Sequence, residues 1–382
     1  MSKLPFIIVA CAVIASSDAQ LVLSGNENKI DLTSGKPRAV PNAAPDSITL
    51  LDFSSYPPSV RHVEGISNSV IGPPSNIAIV PDGSIALICD SIKADVQSDT
   101  GYIPSDVIHV LDLTQAEPKV IETIHSDQQP SGISISRDGN FAIVANRAAG
   151  TLSLLAINGK NVSVKETVSV CKPEESVSDV AISPDGRFAI ASVQKGRFLA
   201  LIRIEGGHLV PTERKFSVFG EPYRCLITPD GELALTGGTG YGFPDMDALS
   251  VVDLRAEPPR VTEFVEIGSV PESIELSPDG KLLAAVMMAG SNLAPGTPGL
   301  SKNGELVLLA RRGRTFEKVQ VVPTGAIPEG VAFTSDGRFV LVQCHPAREI
   351  WIFEVTNGLV TDTGVRVKTP GMPSSLRAAP AR

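Results

Sequence analysis

A segment reading PSGISISRDGNFAIVAN (residues 130–146) recurs in variant form from residue 74 to the C-terminus, and no other feature of the chain narrows the possible folds so far. The Asp-Gly pairs of its copies stand at Asp82-Gly83, Asp138-Gly139, Asp185-Gly186, Asp230-Gly231, Asp279-Gly280 and Asp336-Gly337, so successive copies lie 56, 47, 45, 49 and 57 residues apart. Periods of that length belong to propellers and solenoids. In each copy an apolar alternating run leads into the Asp-Gly pair and a second apolar run follows. This is the pattern of a β-hairpin whose turn needs a residue at positive φ.

Aligned on the turn, Pro74, Pro130, Val177, Pro222, Pro271, Pro328 and Pro373 form one column at the start of the inner strands. Outer strand pairs follow near residues 47, 107, 151, 198, 249, 305 and 350, which makes seven blades. The stretch QLVLSGNEN (residues 20–28) matches a second strand with no first strand before it, and the C-terminal PSSLRAAP (residues 373–380) is an inner strand with no blade of its own. The sequence therefore predicts an all-β, seven-bladed β-propeller of four-stranded antiparallel blades, its ring closed by the N-terminal strands plus the C-terminal inner strand. Such closure leaves no blade as an open end, which is how propellers limit exposed edges.

Composition fits a turn-rich globular chain: 42% hydrophobic and 20% charged, with 33 Gly and 30 Pro among 382 residues. A net charge of −9 without a Lys/Arg run excludes a phosphate backbone as partner, so nucleic acid is not expected. Residues 1–19, with Lys3, an apolar run over 4–15 and small residues at Ser17 and Ala19, read as a cleaved signal peptide, too short for a membrane span. The expected mature chain is 20–382, a single propeller domain, periplasmic or secreted and monomeric. Of the five cysteines only Cys11 falls in the leader, and Cys89, Cys171, Cys225 and Cys344 show no metal or redox spacing.

The repeat, with GTLSLL (residues 150–155) after it, resembles the YVTN-repeat, lactonase-like seven-bladed propellers over residues 20 to 382. That resemblance implies the propeller fold, frequent export in bacteria, and roles mostly in binding or scaffolding; a cytoplasmic branch hydrolyses 6-phosphogluconolactone. The chain departs from the repeat where the Asn that closes the second strand, present as Asn146, is replaced by Asp90, Val193, Gly238, Met287 and Cys344.

Four connections between second and third strands are enlarged, at residues 31–45, 91–105, 237–246 and 289–303, while the Asp-Gly turns of the opposite rim stay uniform. Function varies on loops carried by a constant scaffold, so any site is expected on the insert-bearing rim. The residue after each column position should face the channel mouth, which brings forward Tyr223, Glu272 and Glu329, with Asp179 and Arg224 one place later and Arg147, Lys195 and His345 from facing connections. The main expectation is an exported binding or scaffold protein that holds a protein or small-molecule ligand on this rim, using Tyr223, Arg147, Lys195 and Asp179. The alternative is a lactonase-like hydrolase in which Glu272 or Glu329, with His345 and Arg224 or Arg147, supply a base and an oxyanion donor. Asp90, Asp95 and Asp99 offer oxygen ligands without a calcium-loop spacing, so neither a metal nor a cofactor is expected.

Overall fold

The computed structural model describes residues 20–380. The leader expected at residues 1–19 lies outside the described residues. Seven four-stranded antiparallel sheets form the blades. Blade 1 is the composite one: strand Met372–Ala378 pairs with Leu21–Glu27, which pairs with Ser47–Asp52 and then Ser59–Glu64. Blades 2 to 7 begin at the inner strands Ile77–Ile79, Pro130–Ile135, Val177–Ile182, Glu221–Ile227, Pro271–Leu276 and Pro328–Phe333. The predicted architecture, including the shared closing blade, is the observed one. No described helix is long and apolar enough to cross a membrane.

The Asp-Gly turns show why the repeat is so regular. Each glycine sits at a φ between 68° and 75°, where a Cβ would strain the backbone. Ahead of it, the Ser136, Ser183, Thr228, Ser277 and Thr334 hydroxyls each donate to the Asp carboxylate two residues on, at 2.6–2.7 Å. Second strands such as Ala142 to Ala145 are buried on both faces because neighbouring blades cover both sides.

One feature carried no sequence signal. In blades 3 to 7 the register of the inner strand slips just after the column residue, as between Pro130 and Ile133 or Pro222 and Cys225, and blade 1 slips at Gly25/Asn26 opposite Pro373. Such bulges re-aim side chains. Here they turn the residues one and two places after the column toward the channel at different depths.

Of the enlarged connections, that at 91–105 is a strand extension rather than an open loop: Ile92, Lys93 and Ala94 pair with Pro104, Ile103 and Tyr102. The connection at 31–45 folds into a small ribbon, Ile30–Asp31 against Arg38–Ala39. A Cβ on Gly101 would come within 2.6 Å of the Ala39 nitrogen, and one on Gly35 within 3.3 Å of the Ala294 nitrogen. This ribbon thus spans from the blade 2 hairpin to the blade 6 insert, roofing the rim.

Candidate active site under the roof

Beneath the roof lies a cavity of about 300 Å³. Glu272, Glu329, Tyr223 and Arg147 line it from four blades, while Leu32, Lys36, Val70 and Tyr102 close it from the roof side. Four of the eight residues singled out from the sequence therefore meet in one chamber. Arg147 is fixed by its Nη1 donating to Ser178 Oγ at 3.1 Å and its Nη2 donating to Gln194 Oε1. Its guanidinium also lies 5.8 Å from the centre of the Tyr223 ring. Both hydrogen-bond partners are neutral, so its charge is left for the cavity.

The two carboxyls differ. Burial pushes Glu272 up to about 8, against the attraction of Arg147. Glu329, only 2% exposed, is held well above the usual carboxylate range by burial and then by the charges of Glu272 and Glu27. Two like groups in one chamber cannot both ionise cheaply, so Glu329 keeps its proton while Glu272 titrates near neutrality. The Tyr223 phenol stays protonated because of its burial and the nearby Glu272 charge.

The other four residues do not join this chamber. Arg224 is buried below it, its Nη1 donating to Ser273 at 3.1 Å and its Nη2 to Glu275 at 2.5 Å. Asp179 accepts from Ser75 Oγ and from the Cys225 N–H, both at 3.0 Å. With Arg377, which reaches Glu275 at 3.4 Å, they form a belt across the channel. A second cavity of about 400 Å³, lined by Ser134, Glu275 and Arg377 on the Asp-Gly side, shares no residue with the upper chamber. His345 is fully buried, its Nδ1 donating to the Pro373 carbonyl at 3.0 Å, and burial holds it down to about 4. It is a neutral structural residue. Lys195 is exposed, its backbone N–H bonded to Glu175 O, and lines no part of the chamber. The depth difference between Tyr223 and Arg224 is the work of the bulge.

Two residues of the composite blade were missed. Glu27 is fully buried, accepting from the Ile30 N–H at 2.8 Å and the Val70 N–H at 3.1 Å. Lys29 sits beside it at 3.6 Å and reaches Asp46 at 2.5 Å and Asp90 at 3.4 Å. Glu27 ends the strand Leu21–Glu27 and Lys29 follows it, two positions that counting from the inner-strand column does not reach. Among the described residues no three His, Cys, Asp or Glu side chains gather to hold a metal.

In these features the chain is similar to lactonase-like seven-bladed propellers. A family model described as lactonase, 7-bladed beta-propeller, matches residues 102–226. A candidate 6-phosphogluconolactonase of Bacteroides uniformis superposes with a TM-score of 0.70 at 16% identity, covering 94% of this chain and 99% of its own. A second, from Bacteroides fragilis, gives the same score and identity with 96% and 99% covered. The periplasmic gluconolactonase PpgL of Pseudomonas aeruginosa has a TM-score of 0.64 at 18% identity, with 94% and 100% covered. At those identities the superpositions speak for the fold. No curated protein matches the chain. The expectation of a binding or scaffold module is overturned in favour of its lactonase-like alternative: the family model that matches residues 102–226 is that of lactonases, and the three neighbours named above bear lactonase names.

Proposed function

We propose that the protein is a lactonase-like hydrolase that opens small sugar-type lactones in the roofed chamber. The observation that carries this reading is the meeting of Glu272, Glu329, Arg147 and Tyr223 in one cavity, where burial raises both carboxyls and the Arg147 charge favours ionisation of Glu272. Hydrolysis of a lactone needs a base for water, a cation or donor for the oxyanion, and an acid for the departing ring oxygen. Ionised Glu272 takes a proton from water as its oxygen bonds to the carbonyl carbon. Arg147 and the Tyr223 hydroxyl face the charge that develops on the carbonyl oxygen. As the ring C–O bond breaks, Glu329 passes its proton to the alkoxide, leaving a hydroxy acid. Exchange with solvent then returns a proton to Glu329 and removes one from Glu272.

A chamber of about 300 Å³ is at the small end of ligand pockets and suits a single ring. The apolar run over residues 4–15 and the small residues before Gln20 further support export, which favours unphosphorylated lactones over cytoplasmic sugar phosphates. A pH-stat assay with gluconolactone and related lactones tests the reading. Turnover above the spontaneous rate that disappears in Glu272→Gln and Glu329→Gln supports it; a wild-type rate equal to the spontaneous one across the panel refutes it. N-terminal sequencing of exported protein checks for a mature start at Gln20.

A further inference from the structure

We infer that Lys29 and Glu27 are positioning residues that hold the roof over the chamber and thereby set which lactones fit beneath it; the selectivity part rests on the hydrolase reading above. The roof is assembled from three separate segments: the ribbon at 31–45, the stretch around Val70 and the blade 2 hairpin ending at Tyr102. Their apolar contacts form one small cluster of Ile30, Val70 and Ile92 with Leu32, Ile71 and Tyr102. Four of those six line the chamber. A cluster this small is little apolar area to fix three separate segments, and charged groups at its base add to it.

Lys29 is the hub. Its ammonium donates to Asp46 and to the Asn68 carbonyl and lies 3.4 Å from Asp90. Asp46 closes the far root of the ribbon, where it also accepts from the Asn28 N–H at 2.9 Å and the Asn68 N–H at 3.3 Å. Asn68 belongs to the Val70 segment, and Asp90 lies in the strand that extends into the hairpin. One cation therefore touches all three roof segments. Glu27 adds a second tie, its two carboxylate oxygens each taking a backbone N–H, one from Ile30 at the near root of the ribbon and one from Val70. Hydrogen bonds from backbone donors to a buried carboxylate fix position as well as energy. The cluster holds three carboxyls for one lysine. Burial opposes the Lys29 ammonium, but Glu27, Asp90 and Asp46 outweigh it and keep the group charged throughout the physiological range.

The test compares full-length wild type, Glu27→Gln, Lys29→Met and Lys29→Arg by two readouts. The first, amide hydrogen exchange, needs no substrate. The inference expects the Ile30, Val40 and Val70 amides to exchange about tenfold faster or more in Glu27→Gln and Lys29→Met, with the blade 4 amides unchanged and Lys29→Arg close to wild type. Unaltered exchange at those amides, or acceleration spread evenly over all blades, overturns it. Should Lys29→Met not fold, Glu27→Gln carries the same comparison alone. The second readout is the ratio of kcat/KM for a bulky lactone to that for gluconolactone. It should rise about tenfold in Glu27→Gln, through KM more than kcat, and recover in Lys29→Arg. A chain that hydrolyses no lactone sinks the hydrolase reading and leaves the exchange result to decide the hub.

Discussion

The Gln343 carboxamide donates to the Ser24 hydroxyl at 2.8 Å, joining the last blade to the first strand across 319 residues of sequence. The same nitrogen donates to the Ser375 carbonyl at 2.7 Å, and its oxygen accepts the Gly330 N–H at 3.0 Å. One buried side chain therefore clasps both chain ends at the ring closure. Replacing it by Leu strands the Gly330 N–H and the Ser375 carbonyl in a dry interior, at roughly 1–3 kcal/mol per unpaired group. Gln343→Leu should lower the urea midpoint at an unchanged m-value, while Lys195→Ala, on the exposed rim, should not move it.

Glu272→Gln should separate stability from activity. The folded-state pKa of Glu272 is about 8, above the usual 4.3 or so of the unfolded chain. Between those values the folded state binds more protons, so this residue's contribution to stability falls as pH rises through that window. The Gln variant lacks the penalty. Its thermal midpoint should exceed wild type at pH 8 and match it near pH 4, whereas its kcat should fall by about 10² or more. A lower midpoint at pH 8 would contradict the assignment.

Arg147 pulls Glu272 down toward the carboxylate range against burial. Removing that charge in Arg147→Gln raises the pKa of Glu272, so the acidic limb of the kcat/KM profile should move to higher pH. On the proposed mechanism, loss of the Arg147 cation should also lower the plateau, by about 10²–10³. A lowered plateau with an unmoved limb would mean that Arg147 and Glu272 are not in electrostatic contact.

A Cβ at Gly132 would fall 2.0 Å from Asp179 Oδ1 and 2.6 Å from its Cα. Gly132→Ala must therefore push blade 3 from blade 4 or displace the carboxylate from Ser75 and Cys225. An overpacking cost of about 1–3 kcal/mol follows. Denaturant unfolding should show it, and Gly159→Ala gives the comparison: its turn glycine has positive φ but nothing within 4 Å.

The sequence displays whatever repeats. The Pro130 column, the Asp138-Gly139 turn and the split blade are legible because each is one line of a seven-fold pattern, and Glu272 and Glu329 are found by counting one place from it. Arg224 is misplaced by the same count, since the register slip between Pro222 and Cys225 sends it toward Ser273 and Glu275 instead of the mouth. Nothing in the residue types announces that slip. Lys29 is invisible for a different reason: its partners Asp46, Asn68 and Asp90 lie 17 to 61 residues away, in two irregular connections and one strand, at spacings that no repeat pattern marks. Burial decides His345, whose ring has turned from the chamber to the Pro373 carbonyl.

The belt of Asp179, Arg224 and Arg377 makes the upper chamber a room with one door. In an open propeller channel, reactant could enter at one end and the hydroxy acid leave at the other. Here the upper chamber and the lower cavity share no lining residue, so on the proposed reading reactant and product use the same end of the channel. On the proposed hydrolase reading, accumulated hydroxy acid should then compete with the lactone, while occupation of the lower cavity should leave turnover untouched.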